Sequence, residues 1–231
     1  MNFQQWEPAY AAILADFGYP RAADEAARDE LGALVTGFDL GRLRGLEGAT
    51  VAVAGGAATL ADEVEVAADA ERVIAASTAA DVLRDAGVGV DLMTTDLDKN
   101  VETAVALTRE GTPVAVHAHG DNREAIQDAV PRMRTEHVLP TTQAAPSGPV
   151  QNFGGFTDGD RAAFLADHFG AARLAFPGWD FDDPTVGEEK RRKLRWAERL
   201  LGWLERRRGE RFQALDGRRE SLDLSFLDGG P

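Results

Sequence analysis

The segment "DLMTTDLDKN", residues 91–100, follows an apolar, β-favouring approach with two carboxylates one residue apart, Asp96 and Asp98. In a chain whose formal charge is already -14, two more negative groups in one loop repel each other unless a cation lies between them. Mg²⁺ suits such a pair, because it takes one or two carboxylates and fills its shell with water and substrate phosphate oxygens. Lys99 adjoins the pair and can answer phosphate charge as a compact cation. A plainer reading makes Asp96 the cap of the next helix, a place that Asp98 or Asn100 fills equally well.

Other stretches carry chemistry of their own. "AGGAATL" brings Gly55 and Gly56 to a strand-to-helix turn, where a backbone without Cβ atoms can approach a phosphate at a helix N-terminus. It spells neither G-x-G-x-x-G nor G-x-x-x-x-G-K-[ST], so a tight βα turn explains it as well. "HAHGDN" sets His117 and His119 on one side of a strand, with Asp121 and Asn122 just beyond. H-x-H can hold zinc or iron, but a His-dependent metallohydrolase would need more ligands, and only His137 and His168 remain. Otherwise these imidazoles orient loops, donate hydrogen bonds to phosphate, or sit satisfied in the core. "NFGGFTDGD" gathers Asn152, Thr157, Asp158 and Asp160 among glycines. Such amide and carboxylate groups can recognise a flat heterocycle with a donor-rich edge, or complete a metal shell. An N-cap at Thr157 or Asp158 accounts for one of them. "FPGWDF" adds Trp179 beside Asp180, either a stacking surface for a planar ring or a core side chain.

The elements that must position these groups are legible as periodicities. Trp6, Tyr10, Ile13, Leu14 and Phe17, a break at "GYP", then Ala23, Ala26, Ala27, Leu31 and Leu34 predict a small N-terminal helical cap within residues 1–45. Apolar runs of strand length then alternate with helical patterns, from "ATVAVAGGAATL", with a helix start near Thr59, to "AARLAFPGWDF". Helices are predicted near 78–86, 100–110, 122–133 and 160–169. This alternation predicts an α/β, Rossmann-like domain over 46–208, a mostly parallel sheet with helices on both faces. An amphipathic helix with Leu194, Ala197, Leu200, Leu201 and Leu204 on one face closes it, and 209–231 reads as a loosely ordered tail. Ligands of open parallel sheets bind beyond the C-terminal strand ends, where all the motifs above fall, so they are expected to share one crevice.

Composition narrows the setting. A chain of 231 residues, 44% hydrophobic, suits one principal domain. No long apolar run and no signal-like N-terminus is evident, which predicts a soluble, cytoplasmic protein without a membrane partner. Cys 0 excludes disulfides and thiolate metal sites. The acidic balance argues against a nucleic-acid partner. Lys99, Lys190 and Lys193 are the only lysines among 25 cationic residues, against 39 Asp and Glu. That acidic coat suits the salty cytoplasm of a halophilic archaeon. Oligomeric state is not encoded in the pattern, and a homo-oligomer is compatible with it.

Taken together, "AVAGGAATL", "TTDLDKN", "HAHGDN", "NFGGFTDGDRA" and "PGWDF", in this order and spacing, resemble the archaeal 6-hydroxymethyl-7,8-dihydropterin pyrophosphokinase family, distantly similar to thiamine pyrophosphokinases. The resemblance runs from the Trp6/Tyr10 helix through the Lys190 to Leu204 helix. The first loop departs from the family's G-x-G-P-S-L, and "TDLDG" stands here as "TDLDK". The resemblance implies transfer of diphosphate from ATP to the hydroxymethyl group of a reduced pterin, with Mg²⁺, releasing AMP and serving folate or methanopterin-type cofactor synthesis. On that implication Asp96 and Asp98 hold Mg²⁺, Asp121 or Asp158 assists, and one of these carboxylates receives the hydroxyl proton. Gly55, Gly56, Lys99, His117, His119, Asn122, Lys190 and Lys193 then serve ATP, while Asn152, Thr157, Asp158 and Asp160 face the pterin. Alternatives are the same chemistry on another alcohol such as thiamine, a binding module without catalysis, and the metallohydrolase.

Overall fold

In the strand Thr50–Ala54 (β1), Val51 and Val53 enter one apolar core while Ala52 and Ala54 enter another, so the period of two in "TVAVA" supplies both faces of a sheet. The structure, a computed structural model, describes residues 1–227. Five further strands pair in parallel with β1 or with one another: β2 (Arg72–Ala76), β3 (Leu92–Thr95), β4 (Val114–Ala118), β5 (Val138–Thr142) and β6 (Arg173–Ala175). Their order across the sheet is β5-β4-β3-β2-β1-β6. The chain steps outward from β1 to β5, then returns to lay β6 on the other flank of β1. A reversal of this kind opens a crevice beyond the C-terminal strand ends.

The helices are, in chain order, α1 (Phe3–Phe17), α2 (Arg21–Leu34), α3 (Val64–Ala68), α4 (Ala79–Asp85), α5 (Val101–Glu110), α6 (Arg123–Ala129), α7 (Asp158–His168) and α8 (Glu188–Arg208). One face of the sheet is covered by α1, α7 and α8 through Trp6, Phe164, Leu200 and Trp203. The other is covered by α2 to α6 through Leu31, Ala67, Leu83, Leu107 and Ile126. The N-terminal pair therefore divides between the faces. Asn2 starts α1 with a reciprocal capping box, and Gly18 ends it in the left-handed region. Among the described residues no helix is long and apolar enough to cross a membrane.

Two local expectations change. Gly55 and Gly56 lead into a 3₁₀ turn, Ala58–Asp62, and only then into the five-residue α3. The expectation of a loose tail fails over its described part. Phe212 and Leu215 are fully buried, and the Arg219 guanidinium grips the Glu205 carboxylate of α8 at 2.7 and 2.9 Å. Leucines at irregular spacing gave no periodic signal there. Residues 228–231 of that tail lie outside the described residues.

Candidate active site

A cavity of about 650 Å³ lies at the C-terminal ends of the strands. The loops after all six strands meet there, closed by α2, the start of α7 and the first turns of α8. Because β3 lies inside the sheet, the Asp96 to Asn100 turn enters between the β1/β6 end and the β4/β5 end.

That turn is built to present two carboxylates. Leu97 takes a positive φ of 67° and buries its side chain, so Asp96 and Asp98 stay on the cavity side. Asp96 Oδ1 accepts the Asp98 N–H at 3.1 Å, and its Oδ2 lies 3.4 Å from His119 Nε2. Since His119 Nδ1 accepts from the Asp121 N–H, Nε2 is the nitrogen left to donate to Asp96. Asp96 does not cap α5, whose N-cap is Asn100. Burial works against ionisation of Asp96, but hydrogen bonds from His119 and Asp98 and the Arg161 charge outweigh it and hold its carboxyl well below the usual range. Burial, then the hydrogen bond with Asp96 and the Asp96 charge, push Asp98 the other way. Asp158, at the start of α7, is pushed up to about 7 by burial and the Asp96 charge, although Arg161 pairs with it at 3.0 Å.

A donor set of this kind fits one hard divalent cation. Burial and, after it, the Asp96 charge drive Asp98 and Asp158 toward protonation, and a cation beside Asp96 would oppose that. Among the described residues no three His, Asp or Glu side chains converge on one point, so a divalent ion beside this pair would draw the rest of its shell from water and phosphate. A three-ligand histidine centre is not built. His137 meets Arg42 before β5, and His168 lies beside Met1 at the far end of α7.

Several candidates named from the sequence lie behind the cavity wall. Asn122 Nδ2 donates to the Asp96 and His117 carbonyls at 2.7 Å each, and its Oδ1 accepts the His119 N–H; it laces the β3 and β4 loops together. Asn152 gives both amide hydrogens to the Gln143 and Ala144 carbonyls and accepts from Gly154 N–H, which leaves no donor for a ligand. Asp160 is fully buried, taken up by the Phe156 and Thr157 amides and the Thr157 hydroxyl in the capping box of α7. His117 is buried beneath the floor; its Nδ1 meets Thr141 Oγ1 at 3.1 Å, and burial holds the imidazole well below its usual pKa. These four residues do not line the cavity. Thr157, Asp158, His119, Asp121, Lys99, Lys190 and Lys193 do, with Lys193 also pairing with Glu189 at 3.3 Å.

Gly55 and Gly56 line the β1/β6 end, but two amides of their loop are committed to backbone and not to a ligand. The Gly55 and Ala57 N–H groups are given to the Pro177 and Gly178 carbonyls at 2.8 and 3.0 Å. Gly55 is needed because the loop after β6 presses on it, whereas a Cβ on Gly56 would lie 2.8 Å from the Thr78 hydroxyl oxygen, after β2. Trp179 donates from Nε1 to the Val53 carbonyl at 2.8 Å and lays its ring on Gly159, where a Cβ would approach to 2.7 Å. Half-buried at the cavity wall, Trp179 is neither core nor free surface. Sequence reasoning missed Asp24 and Gln143, both buried and both on the wall, and Arg161, which holds Asp158. Asp24 had left a signal, since it shares the buried stripe of α2 with Ala27 and Leu31.

A model of the family described as 6-hydroxymethylpterin diphosphokinase MptE-like matches residues 34–185. Three archaeal relatives are named 6-hydroxymethyl-7,8-dihydropterin pyrophosphokinase. The protein of Methanothermobacter thermautotrophicus is 36% identical over 225 residues, 89% of this chain and 96% of the relative. That of Pyrococcus furiosus is 33% identical, covering 88% and 94%, and that of Methanocaldococcus jannaschii is 29% identical, covering 88% and 96%. The match spans every loop that meets at the cavity up to Trp179, and the chain belongs to the MptE-like 6-hydroxymethylpterin diphosphokinase family.

Proposed function

We propose that this chain transfers the diphosphoryl group of ATP to the hydroxymethyl group of 6-hydroxymethyl-7,8-dihydropterin in a Mg²⁺-dependent reaction, releasing AMP. The observation that carries the reading is the Asp96/Asp98 pair at the middle of the cavity, with space toward both ends. The substrate hydroxyl oxygen bonds to the β-phosphorus as the bond from that phosphorus to the α–β bridging oxygen breaks. AMP departs with the bridging oxygen, and the hydroxyl proton passes to a carboxylate. Such transfers depend on in-line positioning and on charge neutralisation. Bound Mg²⁺ would neutralise phosphate oxygens, held by Asp96 and Asp98.

The remaining roles follow from placement. His119 orients Asp96, Lys99 and Lys190 supply cations toward the polyphosphate, and Arg161 sets Asp158, which Asp121 joins as a candidate proton acceptor. Trp179 and the Gly55–Gly56 loop wall the end taken by the nucleotide base. The product is an activated pterin for folate or methanopterin-type cofactor synthesis. The test is incubation of the purified protein with ATP, Mg²⁺ and the reduced pterin alcohol, with thiamine in a parallel arm and mass spectrometry of the products. Equimolar AMP and pterin diphosphate are expected. AMP formed only with thiamine, or no AMP with either acceptor, overturns the proposal.

A further inference from the structure

We propose that Asp24 and Gln143 form the subsite that reads the ring edge of the pterin, its N3–H and 2-amino donors. This rests on the reaction proposed above and assigns its acceptor substrate to the β4/β5 end of the cavity. Gln143 follows β5 directly, and Asp24 Oδ1 accepts the N–H of Gly120, in the loop after β4, at 2.8 Å. Both residues line the cavity at the end opposite Gly55 and Trp179, with the Asp96/Asp98 turn between. Neighbouring strands lie about 4.8 Å apart, so β5 and β1, four steps apart in the sheet, are separated by roughly 19 Å. That span accommodates a substrate on each side of the reacting phosphates.

The hydrogen bonds around the pair fix its polarity. Asp24 Oδ2 accepts from the Tyr10 hydroxyl at 2.8 Å and from Gln143 Nε2 at 2.8 Å. With the Gly120 amide this makes three donors, and a carboxylate has room for about four. The Gln143 amide cannot be turned over, because its NH₂ must face the carboxylate; its Oε1 is therefore an acceptor, and it is buried without a partner. The Gln143 backbone is fixed as well, its carbonyl accepting Trp6 Nε1 and Asn152 Nδ2 at 2.9 Å each. The wall thus offers unfilled acceptor capacity at Gln143 Oε1 and on the Asp24 carboxylate. A 2-aminopyrimidin-4-one edge, with adjacent N–H and NH₂ groups, complements it. Adenine, which puts an acceptor beside its amine, supplies only one of the two donors that Gln143 Oε1 and Asp24 can take. Tyr19, Pro20 and Phe156 line the cavity as apolar neighbours of a flat ring, with Phe17 bridging Tyr19 and Phe156 at 5.0 and 5.2 Å between ring centres.

Guanine carries the same donor edge as the pterin, so the test includes both. Binding is measured without ATP for the reduced pterin alcohol, for guanosine, and for a pterin analogue with a carbonyl in place of the 2-amino group. The wild-type protein is expected to bind the pterin at least tenfold more tightly than the analogue or guanosine. Gln143→Leu, of similar size without the acceptor, is expected to weaken pterin binding about tenfold to a hundredfold. The KM for ATP should stay within about twofold of wild type in that variant, a split that general loss of structure would not produce. Equal wild-type affinity for pterin and analogue overturns the assignment whether or not the variant folds. So does a Gln143→Leu protein that binds pterin as wild type does, or guanosine binding as tight as pterin with the same dependence on Gln143. Gln143-dependent pterin binding with no AMP release would leave the subsite standing and remove the proposed reaction.

Discussion

Gly55 and Gly178 meet back to back across the β1/β6 end of the cavity, each at the position where a Cβ would strike the other's backbone. A Cβ on Gly178 would lie 2.5 Å from the Gly55 carbonyl oxygen and 2.7 Å from Leu60, and one on Gly55 would overlap the Gly178 carbonyl. Gly178 also holds φ at 73°. Backbone cannot yield as a flexible side chain can, so Gly55→Ala and Gly178→Ala are each expected to cost about 1–3 kcal/mol. Gly89→Ala, with nothing within 4 Å of its Cβ, is the control and should stay within about 0.5 kcal/mol of wild type. Denaturant midpoints at matched slope decide it; equal values for all three variants would refute the contact.

Asp96 is the second test. Its carboxyl is held ionised by His119 and the Asp98 hydrogen bond, and an amide in its place keeps the shape but not the charge. Asp96→Asn is expected to lower kcat on the order of a hundredfold or more, the scale of losing a group that answers transition-state charge. The loss should persist at saturating Mg²⁺. Full Mg²⁺-dependent turnover by this variant would remove Asp96 from the mechanism.

Those two cases show what the sequence could and could not reveal. The Asp96/Asp98 pair was legible because loop carboxylates one residue apart have few structural uses. Gly55 and Gly56 were legible as a loop, but whether the Gly55 and Ala57 amides face a phosphate or a second loop depends on Pro177 and Gly178, more than a hundred positions along the chain. Asn152 and Asp160 look like ligand groups in one dimension. Only the path of Gly154 and Gly155, at φ 91° and 94°, shows that they turn inward to satisfy backbone. The alternation that built β1 needs no such distant partner, which is why the sheet was readable and the lining of its crevice only partly so.

The Asp158 carboxyl supplies a pH test in the absence of divalent ions. Burial and the Asp96 charge raise it from 3.8 to about 7. As pH rises through that window the unfolded chain releases the proton while the folded protein keeps it, so stability present below the unfolded pKa is lost toward pH 7. The slope is at most about 1.4 kcal/mol per pH unit for one proton. Relative to Asp158→Asn, the wild-type melting temperature in chelator should therefore fall from pH 5 to pH 8, a comparison that cancels the opposite slope from His117 and His168, whose pKa values are depressed in both proteins. Parallel curves for the two proteins would exclude Asp158 as the source.

His117 and Arg161 share a smaller cavity of about 10 Å³ beneath the site, and His117 Nε2 and Arg161 Nε are both buried without a partner among the described residues. The Thr141 hydroxyl is given to the Val116 carbonyl, so His117 Nδ1 carries the hydrogen toward Thr141 and Nε2 is an acceptor. One water, needing roughly 10–15 Å³, can take the Arg161 hydrogen and give its own to His117. An ordered water between these nitrogens is expected in a high-resolution crystal structure. His117→Phe should cost about 1–3 kcal/mol by stranding Arg161 Nε, and His117→Gln, which keeps an acceptor, should cost less. A dry cavity, or equal losses in both variants, would contradict the bridge.

Salt tests the acidic coat. Asp62, Glu65, Asp69 and Glu71 form an exposed acidic run without cations between them, within a chain of net charge -14. Against that repulsion stand surface pairs such as Arg134 with Glu136, 3.6 Å apart and 61% exposed on both sides. Pairs so exposed contribute about 0–1 kcal/mol each. Raising salt to about 1 M shortens the screening length to about 3 Å, which erases repulsion between carboxylates one or two turns apart but leaves much of a contact pair's attraction. The repulsion is the larger quantity lost, so melting temperature is expected to rise between 0.1 M and molar KCl, roughly, and to rise less in a variant with several of these carboxylates changed to amides. A melting temperature that is flat or falling over that range would show that the ion pairs, not the excess charge, dominate the surface.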